Sequence, residues 1–487
     1  MKLPELIELC QPLHVTNSGY DGELGAFVLD SRKIEKDDVF IAVRGTQVDG
    51  HMFLDDAIDG GVRVIITEDS FYSEDDSVCV IEVENTRSLV GPLAQAFAGY
   101  PAKNLRIVGI TGTNGKTTTA TLVYQVLCAC NQKASLLGTV NKRILDDALD
   151  SKLTTSDPIE LAADMKAMNK AGSEFLIMEV SSHAIDQQRV AGFDFEVAAY
   201  TNLSHDHLDY HETIEEYASA KKQLFDTLPK SSTAVINMDD NHASFMIQDC
   251  EAQVERLSFE TGEAHILSNS PKGVTFVLDN TQVKSPLAGK FNAYNVAEAY
   301  LICKSLGLDS REIAEALQNC PGAPGRMETI HVEGETLPLV IVDYAHTPDA
   351  LKNVLSTLKS VKEDHQKLIV IFGAGGNRDA AKRPEMAKTA AEHADQIVVT
   401  SDNPRKENPD LIIADILDGF ANLGNVKSIT DRGDAIKQTI AASSSDDIIL
   451  IAGKGHEDYQ EINGIEHPFD DRKVAREALK LKAKEVH

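Results

Sequence analysis

The strongest constraint on the fold is a recurring pattern, in which an apolar run of strand length is followed at once by small, polar or charged residues. Seven such runs cover residues 105–110, 175–180, 197–203, 339–345, 367–374, 396–400 and 447–452. Runs that are apolar at nearly every position are typical of strands covered on both faces of a parallel sheet. Helix-like segments such as "TTTATLVYQVLCAC" lie between them, so we predict an α/β fold with doubly wound sheets. Because such sheets bind ligands beyond the carboxyl ends of their strands, the polar residues after the runs are candidate site residues.

The grouping of these runs predicts the domain organisation. One group lies near 105–205 and the other near 339–452. Candidate boundaries are "AGYPAKNL" (98–105) and the Pro- and Gly-rich "CPGAPGRME" (320–328). We therefore predict three domains, and the first is expected to be a small α/β unit. Their predicted bounds are 1–100, 101–331 and 332–487.

Composition excludes several classes of function. The 487 residues include 47 Lys and Arg against 76 Asp and Glu, which gives a net charge of −29. We therefore expect neither a nucleic-acid protein nor a partner of anionic membranes, although an acidic protein can still carry a local anion site. The seven cysteines include no CxxC pair, and the first residues do not read as a signal peptide. Reduced thiols, a cytoplasmic location and no membrane insertion are expected.

The first polar segment with clear chemistry is "GTNGKTTT" (112–119), between an apolar run and a helix-like segment. Gly112 and Gly115 would let backbone N–H groups approach phosphates, Lys116 would reach the β and γ oxygens, and Thr117 would bind Mg²⁺. Ile110 stands where the longer Walker loop begins with Gly, so this is a shorter loop of the form G-x-x-G-K-T. The alternative is a Gly-rich turn without a ligand.

Two further segments suggest a metal. Glu179 ends the run 175–180, and a buried carboxylate needs a partner, so we predict a Mg²⁺ ligand rather than a strand-edge charge. "TNLSHDHLDYH" (201–211) carries three His and two Asp. Alone it could hold zinc; beside a nucleotide loop it could equally give a second Mg²⁺ site with His207, and surface histidines are the third interpretation.

Other positions are ambiguous from composition. Lys221 lies in "YASAKKQLF" (217–225), which is typical of an ordinary amphipathic helix. Asn292 and Asn295 are one helical turn apart and could contact an adenine edge or merely be solvated. Arg405 follows a turn that "SDNP" favours. Its side chain is either a solvated surface charge or a planar fork that binds an anion.

Taken together, the motifs resemble the Mur ligases over nearly the whole chain. They are "LDSR", "GTNGKTTT", "LTT", "MEVSSHAIDQQRV", "TNLSHDHLDYH" with "SAKK", "GKFNAYN", "GAPGRME", "VDYAHTPD", "GGNRDAAKRP", "SDNPRKENP" and "AGKGHEDYQ". The resemblance implies an α/β protein of three domains: a UDP-sugar-binding N-terminal domain, a central P-loop ATPase with a parallel sheet, and a C-terminal Rossmann-like domain that binds an amino acid.

The resemblance also implies an activity, that of an ATP-dependent amide ligase in the synthesis of the peptidoglycan precursor. ATP would phosphorylate the D-Glu carboxylate of UDP-N-acetylmuramoyl-L-alanyl-D-glutamate (UDP-MurNAc-L-Ala-D-Glu). The amine of meso-diaminopimelate would then attack the acyl phosphate, releasing ADP and phosphate. The family pattern "DNPR" goes with diaminopimelate rather than L-lysine, because the Arg405 fork would pair the second carboxylate. A cytoplasmic monomer that requires Mg²⁺ is expected.

The resemblance assigns roles residue by residue. The ATP-binding residues would be Gly112, Thr113, Asn114, Gly115, Lys116, Thr117, Thr118, Asn295, Arg326 and Asp343. The UDP-sugar-peptide would be held by Leu29, Ser31, Thr46, Gln47, Val48, Thr154, Thr155, Ser181, Gln187 and Arg189. The diaminopimelate site would consist of Arg378, Asp402, Asn403, Pro404, Arg405, Gly453 and Glu457. The catalytic set would be Lys116, Glu179, His207 and Lys221; the metal ligands would be Thr117, Glu179, His207 and Lys221, the lysine as a carbamate formed with CO₂.

Two positions depart from the family pattern, and three other classes of protein are alternatives. Leu153 stands where relatives often have Asn before Thr-Thr, and Asn377 where they often have Asp. The nearest alternative is another amide ligase of the superfamily, such as a folylpolyglutamate or cyanophycin synthetase, in which "DNPRKENP" beside "GKGHED" is not expected. A kinase or motor NTPase would lack the second substrate domain, and a nucleotide-binding regulator would lack turnover.

Overall fold

The structure is a computed structural model that describes residues 1–46, 48–140, 142–151, 153–262, 264–332 and 337–485. Its residues divide into two compact units. The first comprises 1–116, 131–236 and 240–255, and the second comprises 117–130, 237–239 and 256–487. This division follows different lines from the predicted domains, whose boundaries near 100 and 331 stay predictions.

Several helices begin and end where the sequence supplies caps. Asp157 accepts hydrogen bonds from the backbone of Ile159 and Glu160, Pro158 takes the first helical position, and Gly172 ends the same helix with a φ of 81°. The helices are α1 Leu3–Cys10, α2 Leu54–Asp59, α3 Thr86–Ala98, α4 Lys116–Ala129, α5 Pro158–Ala171, α6 Ser182–Asp186, α7 Leu208–His211, α8 Ile214–Asp226, α9 Ala243–Met246, α10 Lys290–Ser305, α11 Ser310–Leu317, α12 Pro348–Val361, α13 Lys382–His393, α14 Pro409–Leu417, α15 Arg432–Ala442 and α16 Asp471–Glu485.

The first sheet lies in the N-terminal part of the chain. Its strands are β1 His14–Thr16, β2 Phe27–Val28, β3 Val39–Ile41, β4 Val64–Thr67 and β5 Cys79–Glu82. Their order is β1-β5-β4-β3-β2, and β1 is antiparallel to β5 while the other pairs are parallel. The small α/β unit predicted at the N-terminus therefore has a mainly parallel sheet.

The second sheet carries the phosphate loop. Its strands are β6 Arg106–Thr111, β7 Ala134–Leu137, β8 Lys142–Ile144, β9 Asp147–Leu149, β10 Phe175–Glu179, β11 Phe195–Tyr200, β12 Thr233–Asn237 and β13 Gln253–Leu257. The order is β13-β12-β11-β6-β10-β7-β8-β9, with parallel pairing from β12 to β7. The carboxyl ends of β11, β6, β10 and β7 are therefore neighbours along one edge.

The third large sheet lies in the C-terminal part. Its strands are β17 Glu328–Thr329, β18 Leu339–Asp343, β19 Leu368–Phe372, β20 Gln396–Val399, β21 Val426–Ser428 and β22 Ile448–Ala452. Their order is β17-β18-β22-β19-β20-β21, parallel apart from β17. The other described strands form two small antiparallel sheets. One consists of β14 His265–Ser270, β15 Gly273–Leu278 and β16 Thr281–Ser285, and the other is the hairpin of β23 Tyr459–Ile462 and β24 Ile465–Pro468.

All seven apolar runs are strands, which confirms the predicted α/β class. The reason is burial: β10, β19 and β22 are buried at every position, as strands covered on both faces must be. The helix-like segments after the runs also form helices, α4 and α13 among them. None of the helices within the described residues combines the length and the apolar composition that crossing a bilayer requires.

Candidate functional site

The phosphate loop follows β6 directly, and its first glycine is required by space. Gly112 has a φ of 143°, and a Cβ atom there would lie 1.9 Å from the hydroxyl of Thr201, which follows the neighbouring strand β11. Gly115 has a φ of 90°, which also favours glycine. The loop thus turns sharply at the edge where parallel sheets bind ligands.

The segment after β11 holds this loop in place. Thr201 Oγ1 donates to the carbonyl oxygen of Asn114 at 2.6 Å. Asn202 accepts two backbone N–H groups of the loop, from Thr113 at 2.7 Å through its carbonyl oxygen and from Asn114 at 3.0 Å through its side chain. The "TNLS" part of the motif at 201–211 therefore supports the phosphate loop. The sequence analysis did not predict this role, because the histidines of the motif suggested a metal site.

Two lysines meet at the same loop. Lys116 Nζ donates to the carbonyl oxygens of Gly112 and Thr113 at 2.8 and 2.9 Å. Lys221, which is buried on α8, donates to the Gly112 carbonyl at 3.0 Å and lies over the Tyr217 ring. Burial, and secondly the charge of Lys116, lower the pKa of Lys221 well below its usual value, while Asp206 opposes the shift. These surroundings therefore penalise the charged form of the Lys221 amine.

Glu179 ends β10 with its side chain 1% exposed. Its carboxylate accepts the backbone N–H of Thr139 at 2.8 Å. Gly138 makes room for it, since a Cβ atom at that position would lie 2.3 Å from Glu179 Oε1. Sequence reasoning missed Gly138 and Thr139, although they follow β7 just as the other site residues follow their strands. The buried strand β7 is an apolar run of the same kind, and that signal could have found them.

The remaining metal-ligand prediction, His207, has a half-exposed ring and a φ of 54°. Its Nε2 lies 3.7 Å from Asp206 Oδ2, and its ring packs edge-on against His183. Within the described residues, no three His, Cys, Asp or Glu side chains are arranged to hold a metal ion. Zinc sites use three or four such ligands, so these residues do not fit the zinc alternative. The Glu179 carboxylate fits Mg²⁺, which takes one or two carboxylates together with substrate phosphates and water.

Five residues predicted to hold the sugar-peptide lie close together around Glu179. Thr155 Oγ1 donates to the Glu179 carbonyl at 2.8 Å and accepts from the Ser181 N–H at 3.2 Å. Arg189 donates to the Thr155 carbonyl and to Gln187 Oε1, both at 2.7 Å. Thr154 joins this set, because its hydroxyl lies 2.9 Å from the hydroxyl of Thr139. One hydrogen-bonded set therefore links the proposed substrate residues to the proposed metal ligand.

A cavity of about 920 Å³ lies beside this set. It is lined by Thr46, His183, Asp186, Gln187, Tyr210, His211, Glu216, Ser219, Ala220 and Gln223. Thr46 and Gln187, predicted for different parts of the sugar-peptide, thus share one cavity. Of the other N-terminal predictions, Ser31 opens a short 3₁₀ helix and Val48 is exposed, whereas Leu29 is partly buried. Gln47 lies outside the described residues.

In the second compact unit, the predicted nucleotide residues are buried or stacked. Asn295 donates to Asn292 Oδ1 at 3.1 Å on α10. Arg326 lies over the Tyr344 ring, 4.8 Å from its centroid. Asp343 accepts the N–H groups of Met327 and Ala345, each at 2.8 Å, and burial raises the pKa of its carboxyl. The Asp343 carboxylate therefore holds the backbone of Met327, the residue after Arg326, in position.

The turn after β20 carries Arg405. Arg405 has a φ of 52°, an uncommon conformation for a residue other than glycine. Its N–H donates to the Glu461 carbonyl at 2.9 Å, and its own carbonyl accepts from Asn463 at 2.6 Å. Its side chain donates from Nη1 to the Gly376 carbonyl at 2.9 Å. The turn is thus held by the hairpin β23–β24 and by the loop after β19, in addition to the stiffness of Pro404.

The charge environment of Arg405 corrects one expectation. The expectation that Arg405 pairs the second carboxylate of diaminopimelate implies that L-lysine would leave Arg405 facing no anion and hence unpaired. That argument is wrong for the structure, because Arg405 Nε lies 3.0 Å from Glu461 Oε2. Both side chains are partly buried, with 23% and 28% exposure. Arg405 therefore already has a carboxylate partner within the protein.

A second ion pair lies next to Arg405. Lys454, which is fully buried, donates to Asn403 Oδ1 at 2.9 Å and to Glu457 Oε2 at 2.8 Å. Asn403 also donates to Glu457 Oε2 at 2.9 Å. Lys454 was not predicted as a site residue, although it stands in "GKGHED" between two that were. A buried ammonium needs such partners, so it fixes the side chains of Asn403 and Glu457.

Three further predicted residues surround these pairs. Gly453, after β22, has a φ of 120°, and a Cβ atom there would lie 2.6 Å from Asp402 Oδ2. Asp402 caps its own turn by accepting the Asn403 N–H at 2.7 Å. Arg378 is exposed on the loop after β19. Asn377 in this loop accepts the Lys406 N–H at 3.0 Å, so this departure from the family pattern has a structural partner; the other, Leu153, is exposed.

These features define a class: an α/β protein with a short phosphate loop at one sheet edge and a charged pocket at the edge of another. Family models match most of the chain: the Mur ligase middle domain at residues 110–303, the Mur ligase glutamate ligase domain at 325–455, and the Mur ligase family catalytic domain at 26–98. The chain belongs to the Mur ligase family, whose members are ATP-dependent ligases.

Individual relatives agree over nearly their whole length. The chain is 43% identical to the UDP-N-acetylmuramoyl-L-alanyl-D-glutamate–2,6-diaminopimelate ligase of Cytophaga hutchinsonii, covering 94% of this chain and 95% of that one. It is also 43% identical to the ligase of the same name from Parabacteroides distasonis, over 92% and 93%. A solved structure of a ligase of that name matches with a TM-score of 0.71 and 35% identity, over 95% and 96%.

Proposed function

We propose that the protein is an ATP-dependent ligase that adds meso-diaminopimelate to UDP-N-acetylmuramoyl-L-alanyl-D-glutamate in peptidoglycan precursor synthesis. The observation that carries this proposal is the similarity, at 43% identity over 94% of the chain, to a relative named for that reaction. The γ-phosphoryl group of ATP would pass to the D-Glu carboxylate. The amine of the amino acid would then displace phosphate from the acyl phosphate, forming the amide.

Lys116 would neutralise charge on the β and γ phosphates. In the structure its ammonium is held by the carbonyl groups of Gly112 and Thr113, so it already lies over the loop that would receive the phosphates. Phosphoryl transfer depends chiefly on positioning and on charge neutralisation, which a fixed cation supplies. Thr113, Asn114, Gly115, Thr117 and Thr118 complete the proposed phosphate contacts, and Asn295, Arg326 and Asp343 the nucleotide contacts.

Thr117, Glu179, His207 and a carbamate on Lys221 would hold Mg²⁺, which would supply charge neutralisation at the transferring phosphoryl group. The lowered pKa of Lys221, caused chiefly by burial, supports the carbamate, because CO₂ reacts with an amine and not with an ammonium ion. A carbamate would turn a cation into an oxygen ligand. Thr139 would hold the Glu179 carboxylate in position through its backbone N–H.

The sugar-peptide would be held in the cavity beside Thr155, Ser181, Gln187 and Arg189. Their hydrogen bonds with one another and with the Glu179 carbonyl fix them before a substrate arrives. Preorganised groups of this kind place the reacting carboxylate at low entropic cost. Leu29, Ser31, Thr46, Gln47, Val48 and Thr154 complete the proposed set.

The amino-acid end of the site would bind meso-diaminopimelate, which carries two carboxylates and two amines. Arg405 would pair the second carboxylate of meso-diaminopimelate, and Glu457 its distal ammonium, supported by Arg378, Asp402, Asn403, Pro404 and Gly453. L-Lysine has the ammonium without the second carboxylate. A guanidinium binds a carboxylate through two parallel charge-assisted hydrogen bonds, so Arg405 favours the amino acid that brings one.

The test is phosphate release and product mass with purified full-length protein, ATP, Mg²⁺ and UDP-MurNAc-L-Ala-D-Glu, against a panel of amino acids. We expect ADP, phosphate and the tripeptide product only when the dipeptide substrate and meso-diaminopimelate are both present. Turnover with folate polyglutamates, or ATP hydrolysis independent of the dipeptide substrate, would contradict the proposal. The proposal includes a monomer that acts in the cytoplasm and has domains bounded near residues 100 and 331.

A further inference from the structure

The guanidinium of Arg405 is already occupied on both edges that could bind a carboxylate. A bidentate carboxylate uses either Nε with one terminal nitrogen or the two terminal nitrogens together. Nε lies 3.0 Å from Glu461 Oε2, and Nη1 donates to the Gly376 carbonyl at 2.9 Å. Each edge therefore has one nitrogen engaged within the protein. Nε carries a single N–H, so an incoming carboxylate can form two hydrogen bonds on the Nε edge only if Glu461 gives way.

The partner that can give way is Glu461. The Gly376 carbonyl belongs to a backbone held by the Gly376 N–H, which donates to the Asn403 carbonyl at 2.9 Å. The Glu461 carboxylate is at the end of a rotatable side chain with 28% exposure. Its backbone N–H donates to Asn403 Oδ1 at 3.0 Å, and its carbonyl accepts from Arg405, so the main chain stays in place when the carboxylate swings away.

We propose that Glu461 is a specificity-determining residue that acts through Arg405: its carboxylate pairs with the Arg405 guanidinium and is exchanged for the second carboxylate of the incoming amino acid. This inference rests on the proposed function, since it needs an amino acid with a second carboxylate. Glu461 thereby competes with the ligand and weakens its binding. In return, Arg405 does not remain a partly buried cation without a counter-ion.

The exchange also bears on the choice of amino acid. The distal end of meso-diaminopimelate is a zwitterion with no net charge, whereas that of L-lysine carries one positive charge. Arg405 with Glu461, and Lys454 with Glu457, form two neutral pairs in the pocket. Removing the Glu461 charge makes the pocket more positive. The second carboxylate of diaminopimelate then binds more strongly, while the lysine ammonium gains nothing.

The test compares Glu461→Gln with the matched control Glu466→Gln in the full-length protein. Glu466 lies opposite Glu461 on the same hairpin and is exposed, so the control removes the same charge from the same face while the Arg405–Glu461 ion pair stays in place. The measurement is kcat and KM for meso-diaminopimelate and for L-lysine at saturating ATP and UDP-MurNAc-L-Ala-D-Glu. Glu461→Ala serves as a second variant, and thermal unfolding verifies that all three variants fold.

We expect Glu461→Gln to lower KM for meso-diaminopimelate by roughly twofold to fivefold, the range of a partly exposed ion pair, with kcat within about twofold. Efficiency with L-lysine should not rise, and Glu466→Gln should match the wild type. The inference is overturned if KM is unchanged, or if it rises, since a rise would mean that Glu461 only holds Arg405 in place. A wild-type protein that does not use meso-diaminopimelate would instead overturn the proposed function, and this inference with it.

Discussion

Lys116 and Lys221 donate hydrogen bonds to one acceptor, the carbonyl oxygen of Gly112, at 2.8 and 3.0 Å. Two ammonium groups at one carbonyl repel each other, and the buried one loses its proton more readily. The lower pKa of Lys221 is thus built into the phosphate loop itself. The same carbonyl links the residue proposed to bind phosphate to the residue proposed to carry a carbamate.

Replacing Lys116 with alanine should abolish product formation. The phosphates would lose their main protein cation, and loss of one fixed charge at the transferring group costs roughly 10²-fold or more in kcat. Phosphate release and product mass measure the effect. The control is Lys166→Ala, which removes an exposed lysine from α5 and should leave turnover unchanged. Near wild-type turnover in Lys116→Ala would refute the role assigned to the loop.

Variants at Lys221 distinguish two roles for this buried lysine, which either carries a carbamate that binds the metal ion or only supports the Gly112 carbonyl. Lys221→Ala should lower kcat roughly 10²-fold, because the proposed carbamate ligand is lost. Lys221→Glu should retain more activity, since a carboxylate partly replaces the carbamate, and acetate or another short-chain acid should partly rescue the alanine variant. Rates in buffer depleted of CO₂ and then supplied with bicarbonate give a second measurement on the wild type. Lys222→Ala, at the next position on α8, is the control.

If Lys221→Ala works normally without additives, the carbamate proposal fails. Equal loss in the alanine and glutamate variants, with no rescue, would leave Lys221 as a support of the Gly112 carbonyl. That outcome would contradict the carbamate proposal but would agree with a structural role for the hydrogen bond from Lys221 to Gly112.

Replacing Arg405 with alanine should remove the preference for meso-diaminopimelate over L-lysine. A hydrogen bond to a charged group contributes about 1.5–3 kcal/mol, so the ratio of the two kcat/KM values should fall by roughly 10- to 100-fold. Lys406→Ala removes the exposed neighbouring charge and should not change the ratio. A wild-type enzyme that used L-lysine as efficiently as meso-diaminopimelate would leave Arg405 as the ion-pair partner of Glu461 with no role in specificity.

Glu298 predicts a dependence of stability on pH. It is fully buried on α10, accepts from Thr119 Oγ1 at 3.1 Å, and burial raises the pKa of its carboxyl to about 8. The unfolded chain ionises near its ordinary pKa of about 4.5 while the folded one stays neutral, so folding binds a proton between these values. The wild type therefore loses stability as pH rises from about 5 to 8, by up to about 1.4 kcal/mol per pH unit.

Glu298→Gln should remove this slope, because glutamine has the same shape and no titrating proton. The difference in unfolding midpoint between Glu298→Gln and the wild type should grow from pH 5 to pH 8 in favour of the variant. Glu315→Gln, an exposed position on α11, is the control and should show no such trend. A constant difference across this pH range would contradict a neutral Glu298 in the folded protein.

The parts of the fold that could be predicted from the sequence are those that depend on residues close together along the chain. Strands β10, β19 and β22 are buried at every position and almost wholly apolar, and the loop "GTNGKT" needs its glycines for steric reasons within a few residues. The Arg405–Glu461 pair could not be predicted in the same way. It depends on how the hairpin β23–β24 lies against the turn after β20, which is a tertiary contact between segments distant in sequence. For the same reason, Thr139 and Lys454 went unnoticed, since each acts on a partner far along the chain.

The hairpin β23–β24, which holds Arg405, also limits where residues can be inserted near this site during evolution. Arg405 forms a parallel bridge with Ile462, and its backbone bonds reach Glu461 and Asn463 on either side of that residue. Side chains alternate between the two faces of a strand, so one inserted residue in β23 would exchange the positions of Gln460 and Glu461. We therefore expect natural insertions near the pocket at the Asn463–Gly464 turn or in pairs within the strands, where they preserve the phase of the hairpin.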